Sequence, residues 1–182
     1  HKEAELTFEG VSVGEDAVLG GLGEGFRMAQ ARLVPARLTH CTRWLGLADR
    51  ALELCRWQLA ERRSFGRRLA EHQLVQDKIA RSVADLHAGN LMTFHCAWML
   101  QQGLHKEARP YSSMAKRHVA QLLVRVLDDA IQLHGAAGLS EDLPFATWYR
   151  FARAARIADG PDEVHTIVIA RDWLLQRLET LV

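Results

Sequence analysis

The run LTHCTRWLGLADRALELCRWQL, residues 38–59, decides the fold class. Leu38, Cys41, Leu45, Ala48, Leu52, Cys55 and Leu59 recur at alternating steps of three and four. That rhythm puts an apolar seam on one side of an α-helix, the pattern helix bundles use. Pro35 lies near its start and is expected to kink the helix or mark its true beginning. A second seam runs Ile79, Val83, Leu86, Asn90, Thr93, Ala97, Leu100 and Leu104. Asn90 and Thr93 interrupt it, so they either hydrogen-bond across the bundle or face a polar cavity. Pro110 separates it from a third seam of Val119, Leu123, Val126, Ala130 and Leu133. The glycines of Gly135-Ala136-Ala137-Gly138 fit a helix C-cap there.

A short helix is expected from Pro144 to about Ile157, and a last one from Pro161 to about Glu179. The apolar face of the last comprises Val164, Ile167, Val168, Trp173, Leu174 and Leu178. Long helices joined by short turns predict an all-α, up-and-down four-helix bundle. Ahead of it, Glu5 to Val13 alternates like a strand that has no partner strand in view. Residues 1–22 are therefore read as the tail of a preceding β domain, and 23–182 as the bundle. The chain begins at His1 without an initiator Met, which fits a processed or partial chain.

Composition narrows the function classes. Lys+Arg 23 against Asp+Glu 22 gives a formal charge of +1, so bulk electrostatics favours neither nucleic acid nor an anionic membrane. Hydrophobic residues at 48% are enough for a packed core. No apolar run approaches the ~20 residues of a membrane-spanning helix. Cys41, Cys55 and Cys96 form no CxxC pair and read as reduced thiols of a cytosol-like compartment. The histidines show no HExxH or i, i+4 pairing, so no metal site is expected.

Three segments stand out chemically. Arg62 to Gln73 gathers guanidinium groups, the Ser64 hydroxyl and the Gln73 amide at a helix junction. Such a set suits a phosphate or pyrophosphate, or else is a solvated connecting loop. Gln132 to Gly138 lets a backbone approach a ligand, or is a plain helix end. In Arg156 to His165 a lone carboxylate, Asp159, stands on a Gly-Pro turn before an apolar helix. With Gly160 as N-cap and Pro161 as first helical residue, Asp162 and Glu163 fall in the positive first turn. A carboxylate on a stiff turn facing a pocket is placed for proton abstraction; the plainer reading is an acid-rich helix start.

In this order and spacing the segments resemble the carboxy-terminal half of the acyl-CoA dehydrogenase family, over essentially the whole chain. Phe8 to Phe26 looks like the last strand of the family's middle domain and its entry into the first long helix. Arg62 to Gln73 resembles its Arg-x-x-Phe-Gly…Gln segment, Gln132 to Ala136 its Gln-x-x-Gly-Gly segment, and Arg156 to Arg171 its closing motif. The wording Ala-Asp-Gly-Pro-Asp-Glu-Val-His resembles most the subgroup of human members ten and eleven.

The resemblance implies FAD as cofactor and an acyl-CoA as substrate. It implies FAD contacts at Arg62, Arg63, Ser64, His72 and Gln73, partly to the cofactor of a neighbouring subunit. Gln132, Leu133, His134, Gly135 and Ala136 match the segment holding the adenine and pyrophosphate end across that interface, and Pro161, Asp162 and Glu163 a third flavin-contacting stretch. Arg37 and Gly160 match substrate-side positions. Asp159 falls where the family's catalytic glutamate usually stands, one methylene shorter, and Ala136 replaces the second glycine of Gln-x-x-Gly-Gly.

The implied assembly is a homo-oligomer, dimer or tetramer, sharing FAD sites, with an electron-transferring flavoprotein-type acceptor. The implied compartment is the cytoplasm, or the mitochondrion or peroxisome in a eukaryote. Two other readings keep the fold: a nitroalkane oxidase or flavin monooxygenase type of flavoenzyme, and a non-catalytic oligomerising bundle.

Overall fold

The computed structural model describes residues 4–179. Its long helices are α1 (Gly25–Glu61), α2 (Gln73–Gln101), α3 (Ala108–His134) and α6 (Asp162–Glu179). Two shorter ones, α4 (Ala136–Leu139) and α5 (Phe145–Ala155), join α3 to α6. The two-residue strands β1 (Arg63–Ser64) and β2 (Arg67–Arg68) pair antiparallel in the α1–α2 connection, with Arg63 opposite Arg68. The strand expected over residues 5–13 does not form, and residues 4–23 are exposed throughout.

Helix α3 is the centre, packing on α1, α2, α4, α5 and α6. Its seam is as expected: Val119, Leu123, Val126 and Ala130 are buried against Cys41, Leu45, Ala48, Cys55 and Leu59 of α1 and Phe145 of α5. Pro35 neither starts nor ends a helix, since α1 begins ten residues earlier at Gly25. Pro110 lies in the first turn of α3. A proline is tolerated there because first-turn N–H groups have no intrahelical acceptor.

Two faces depart from expectation. On α2 the inward residues are Ser82, Gly89, Thr93, Cys96 and Met99, while Val83 is 53% exposed. The helix is rotated because small side chains permit the closest approach. A Cβ on Gly89 would stand 3.0 Å from Leu45 Cδ2 and 3.2 Å from Val119 Cγ2. Asn90 bonds within its own helix, whereas Thr93 also meets the Cys41 thiol across the bundle. Their side chains donate to Leu86 O (2.8 Å) and Gly89 O (2.7 Å) of their own helix.

On α6 the pattern is inverted: Asp162 and His165 are buried, whereas Val164, Ile167, Trp173 and Leu174 are about half exposed. Leu178 lies outside the side chains described. No helix among the described residues is long and apolar enough to cross a membrane.

Candidate active site

The α5–α6 turn is unusual in its backbone. Asp159 has φ 54° and Gly160 φ 108°, so two successive residues leave the ordinary right-handed region. Pro161 does not open the helix, which starts at Asp162. The Pro161 carbonyl instead accepts from the Val164 N–H (3.0 Å), which makes Pro161 rather than Gly160 the capping residue.

Side chains from distant helices hold this turn. Arg37 Nε of α1 donates to the Asp159 carbonyl at 3.0 Å, and Lys116 Nζ of α3 donates to the Gly160 carbonyl at 2.7 Å. Lys116 is fully buried. Burial lowers its pKa, the nearby Asp162 pulls it back up, and Arg37 lowers it again. Arg37 is lowered by burial and by Arg109, with Asp159 opposing. Two consecutive carbonyls are thus each taken by a cation withdrawn from water, and charge-assisted bonds of this kind are stronger than neutral ones.

Asp162 is only 5% exposed. Its Oδ2 accepts from Arg156 Nε (2.7 Å) and Gln121 Nε2 (3.1 Å). Burial alone would raise its pKa, but the Gln121 and Arg156 bonds, with the Arg156 and Lys116 charges, hold it below the usual range. The carboxylate is therefore turned into the bundle, and its N–H is spent on the Arg156 carbonyl at 3.2 Å. Oδ1 of the same carboxylate is buried without a hydrogen-bond partner, and Glu163 beside it is exposed.

His165 is buried with Nδ1 3.1 Å from Ser113 Oγ. Its Nε2 is buried and would lie 3.0 Å from a Cβ on Gly160. Burial, then the charges of Arg37 and Lys116, push its pKa down to about 4.

Asp159 is among the residues lining a cleft of ≈ 1190 Å³ that has both polar and apolar groups in its wall. Leu33, Val34, Leu100 and Val168 form apolar walls, and Arg37, Arg109 and Lys106 bring positive charge. Oδ2 is buried and lies 2.8 Å from His40 Nε2, close enough for an ion pair but misaligned for a hydrogen bond. Asp159, Gly160 and Arg37 are brought together as expected. His40, Lys116 and His165 complete the site and were not anticipated. Lys116 could have been found, since it stands three residues before Val119 on the apolar seam.

The remaining expected residues gather elsewhere. Phe65 and Gly66, both with positive φ (50° and 80°), close the β1–β2 hairpin, and Phe65 is 95% exposed at its tip. Residues with positive φ at both central positions make a type I′ turn. His72 packs back on the hairpin, its Nε2 3.1 Å from the Ser64 carbonyl. Arg62, Arg63 and Gln73 are exposed there. At the end of α3, Gly135 takes φ 63° as C-cap, Gln132 and Ala136 are exposed, Leu133 is half-buried, and His134 Nδ1 meets the Ala130 carbonyl at 2.8 Å. Sixteen residues of α3 separate Lys116 from Gln132, roughly 24 Å at 1.5 Å per residue. The Asp159 turn and the Gln132–Ala136 segment therefore sit at different levels of the bundle.

The sequence profile described as acyl-CoA dehydrogenase, C-terminal domain, matches residues 23–174. Among relatives, the Mycobacterium tuberculosis protein named probable acyl-CoA dehydrogenase FadE2 is 44% identical over 180 residues, covering 99% of this chain and 44% of that protein. Acyl-CoA dehydrogenase family member 10 of Mus musculus is 40% identical over 167 residues, covering 92% of this chain and 16% of the relative. The butyryl-CoA dehydrogenase of Megasphaera elsdenii superposes with a TM-score of 0.83 at 28% identity, covering 92% of this chain and 43% of that one. The chain thus spans less than half the length of these relatives. The helices around α3, the Asp159 turn and these matches agree: the chain belongs to the acyl-CoA dehydrogenase family, as its C-terminal helical domain.

Proposed function

We propose that this domain serves an FAD-dependent dehydrogenation of an acyl-CoA thioester, with Asp159 as the base that removes the α-proton. The observation carrying the reading is Asp159 in the wall of the cleft, on a turn whose two carbonyls are tied to Arg37 and Lys116. As the α-proton passes to Asp159, the electron pair left on the α-carbon forms the new double bond and the β-hydrogen departs as hydride. When bound, FAD supplies the acceptor for that hydride. Asp159 then holds the proton. The apolar walls exclude water from the acyl chain, which strengthens these electrostatic effects. Gly160 and Arg37 border the thioester.

The donor set suits FAD. Arg62, Arg63, Gln73 and Gln132 are exposed, and no hydrogen bond or ion pair among the described residues engages their side chains. Gly135 offers backbone with nothing within 4 Å of where a Cβ would be. Guanidinium forks, amides and bare backbone are what a pyrophosphate requires. In this reading Ser64, His72, Leu133, His134 and Ala136 are further flavin contacts, as are Pro161 and Glu163 at the start of α6. The separation of the two clusters along α3 supports a flavin shared between copies of a dimer or tetramer, and the uncovered apolar residues of α6 support contact with further protein surface. Residues 1–22 would belong to the preceding β domain and 23–182 to the bundle. An electron-transferring flavoprotein type of acceptor would reoxidise the enzyme. The three free, buried cysteines, pushed by burial to about 12, 12 and 11 for Cys41, Cys55 and Cys96, suit a reducing compartment such as the cytoplasm.

The test is Asp159→Asn in the full gene product carrying this domain. Flavin should remain bound, while bleaching of its absorbance by acyl-CoA in stopped flow slows by about 10²–10⁴-fold, the usual cost of losing a general base. Bleaching at the parent rate would remove Asp159 from the role of base.

A further inference from the structure

A carboxylate on a two-bond stem is not aimed by its backbone alone. The terminal torsion of an aspartate is broad, so either oxygen can face a substrate unless a neighbour fixes one of them. In this structure the neighbour is His40 of α1. Its Nε2 stands 2.8 Å from Asp159 Oδ2, the oxygen withdrawn from solvent. Its other nitrogen, Nδ1, lies 2.8 Å from Arg43 NH2. A guanidinium only donates, so Nδ1 must accept and the ring proton belongs on Nε2, the nitrogen beside the carboxylate. The ring is further held by stacking on Trp44, with centroids 5.4 Å apart and planes 13° from parallel. Arg43 is itself anchored over the Phe151 ring at 5.5 Å. A chain of fixed groups therefore runs from α5 through Arg43 and His40 to the carboxylate.

We propose that His40 is the positioning residue for Asp159, holding Oδ2 on the protein side so that Oδ1 is the oxygen presented to the cleft. This rests on Asp159 being the α-proton base. His40 is not itself that base, because one nitrogen is occupied by Arg43 and the other faces the carboxylate. A small turn of the ring about its stem would align this 2.8 Å contact, and catalytic hydrogen bonds often tighten only around substrate.

Two measurements test the proposal. In the chain as it stands, ¹⁵N-resolved NMR of the histidine rings should find the His40 proton on Nε2, and Asp159→Asn should move that signal. A proton on Nδ1, or no response to Asp159→Asn, overturns the proposal without any activity measurement. In the flavin-loaded full gene product, His40→Ala should slow flavin bleaching on the order of 10–10²-fold, in line with the cost of about 1 Å of misplacement, and leave KM for acyl-CoA nearly unchanged. His40→Gln, whose amide can again donate towards Oδ2, should recover most of the rate. His40→Ala at the parent rate beside an inactive Asp159→Asn overturns the role of His40 alone. An active Asp159→Asn overturns the reading of Asp159 as base.

Discussion

The sharpest consequence of the site's electrostatics is a pH-dependent stability that runs through His165. An unfolded histidine titrates near 6.5, whereas burial and the charges of Arg37 and Lys116 push this ring down to about 4. Between those values the unfolded chain binds a proton that the folded chain refuses. The unfolded state then holds more protons, so stability rises with pH across the window and is lost as pH falls from 6.5 towards 4. Each pH unit is worth about 1.4 kcal/mol for one proton, so the window carries roughly 3 kcal/mol. Below about 4 the folded ring also protonates, and this loss stops growing. Other groups titrate in the same range, so the measurement is a difference. Urea unfolding of the parent and of His165→Gln is followed from pH 7.5 to 4, with the carboxylates common to both. The lost Ser113 contact adds an offset that does not change with pH. The parent's stability relative to the variant should therefore fall by about 3 kcal/mol as pH drops through the window, at about 1.4 kcal/mol per unit. A difference that stays flat would show that the ring protonates in place and that Arg37 and Lys116 exert no such pressure on it.

Lys116→Met removes the donor to the Gly160 carbonyl and leaves that oxygen buried. A hydrogen bond to a charged group is worth about 1.5–3 kcal/mol, and relief from burying the ammonium returns part of it, so a net loss of about 1–2 kcal/mol is expected in urea unfolding. Gly138→Ala would put a Cβ 2.6 Å from the Ile131 carbonyl oxygen and 2.8 Å from its Cα, backbone atoms that cannot step aside. A loss of about 1–3 kcal/mol should appear as a lower melting temperature by circular dichroism. Gly46→Ala, in the middle of α1 with open space around the new methyl, should instead raise stability by about 0.5–1 kcal/mol.

How far the fold was legible depended on which property did the packing. The α1 and α3 seams were readable because large apolar side chains meet there, and hydrophobic periodicity reports that directly. On α2 much of the contact surface is made by smallness, at Ser82, Gly89, Thr93 and Cys96. The expected seam found Thr93 and the half-buried Ile79, Leu86 and Leu100, but also turned Val83 and Ala97 inward, which are exposed. On α6 the apolar residues do not cover this chain's core. The helix is drawn in by two polar anchors, Asp162 to Arg156 and Gln121, and His165 to Ser113. The candidate site divides in the same way. Asp159, Gly160 and the Pro161 turn carry local signals, whereas the partners that make the turn chemically useful come from 44 to 122 residues away. No local pattern encodes a contact of that kind.

If Asp159 stands where the family usually carries glutamate, as the resemblance implies, the shorter acid is consistent with the conformation found there. A non-glycine residue at φ 54° pays a steric cost, and aspartate and asparagine bear it better than longer side chains because their short polar groups find local partners. Strain of this sort persists only where the surroundings over-determine it. Here Arg37 fixes the Asp159 carbonyl, Lys116 fixes the next one, and His40 takes one carboxylate oxygen. The reach lost with one methylene, about 1.5 Å, is thus exchanged for a carboxylate whose backbone and terminal torsion are both held. On this reasoning a longer acid at 159 would gain reach and lose aim, because its extra torsion would lie beyond the grip of His40.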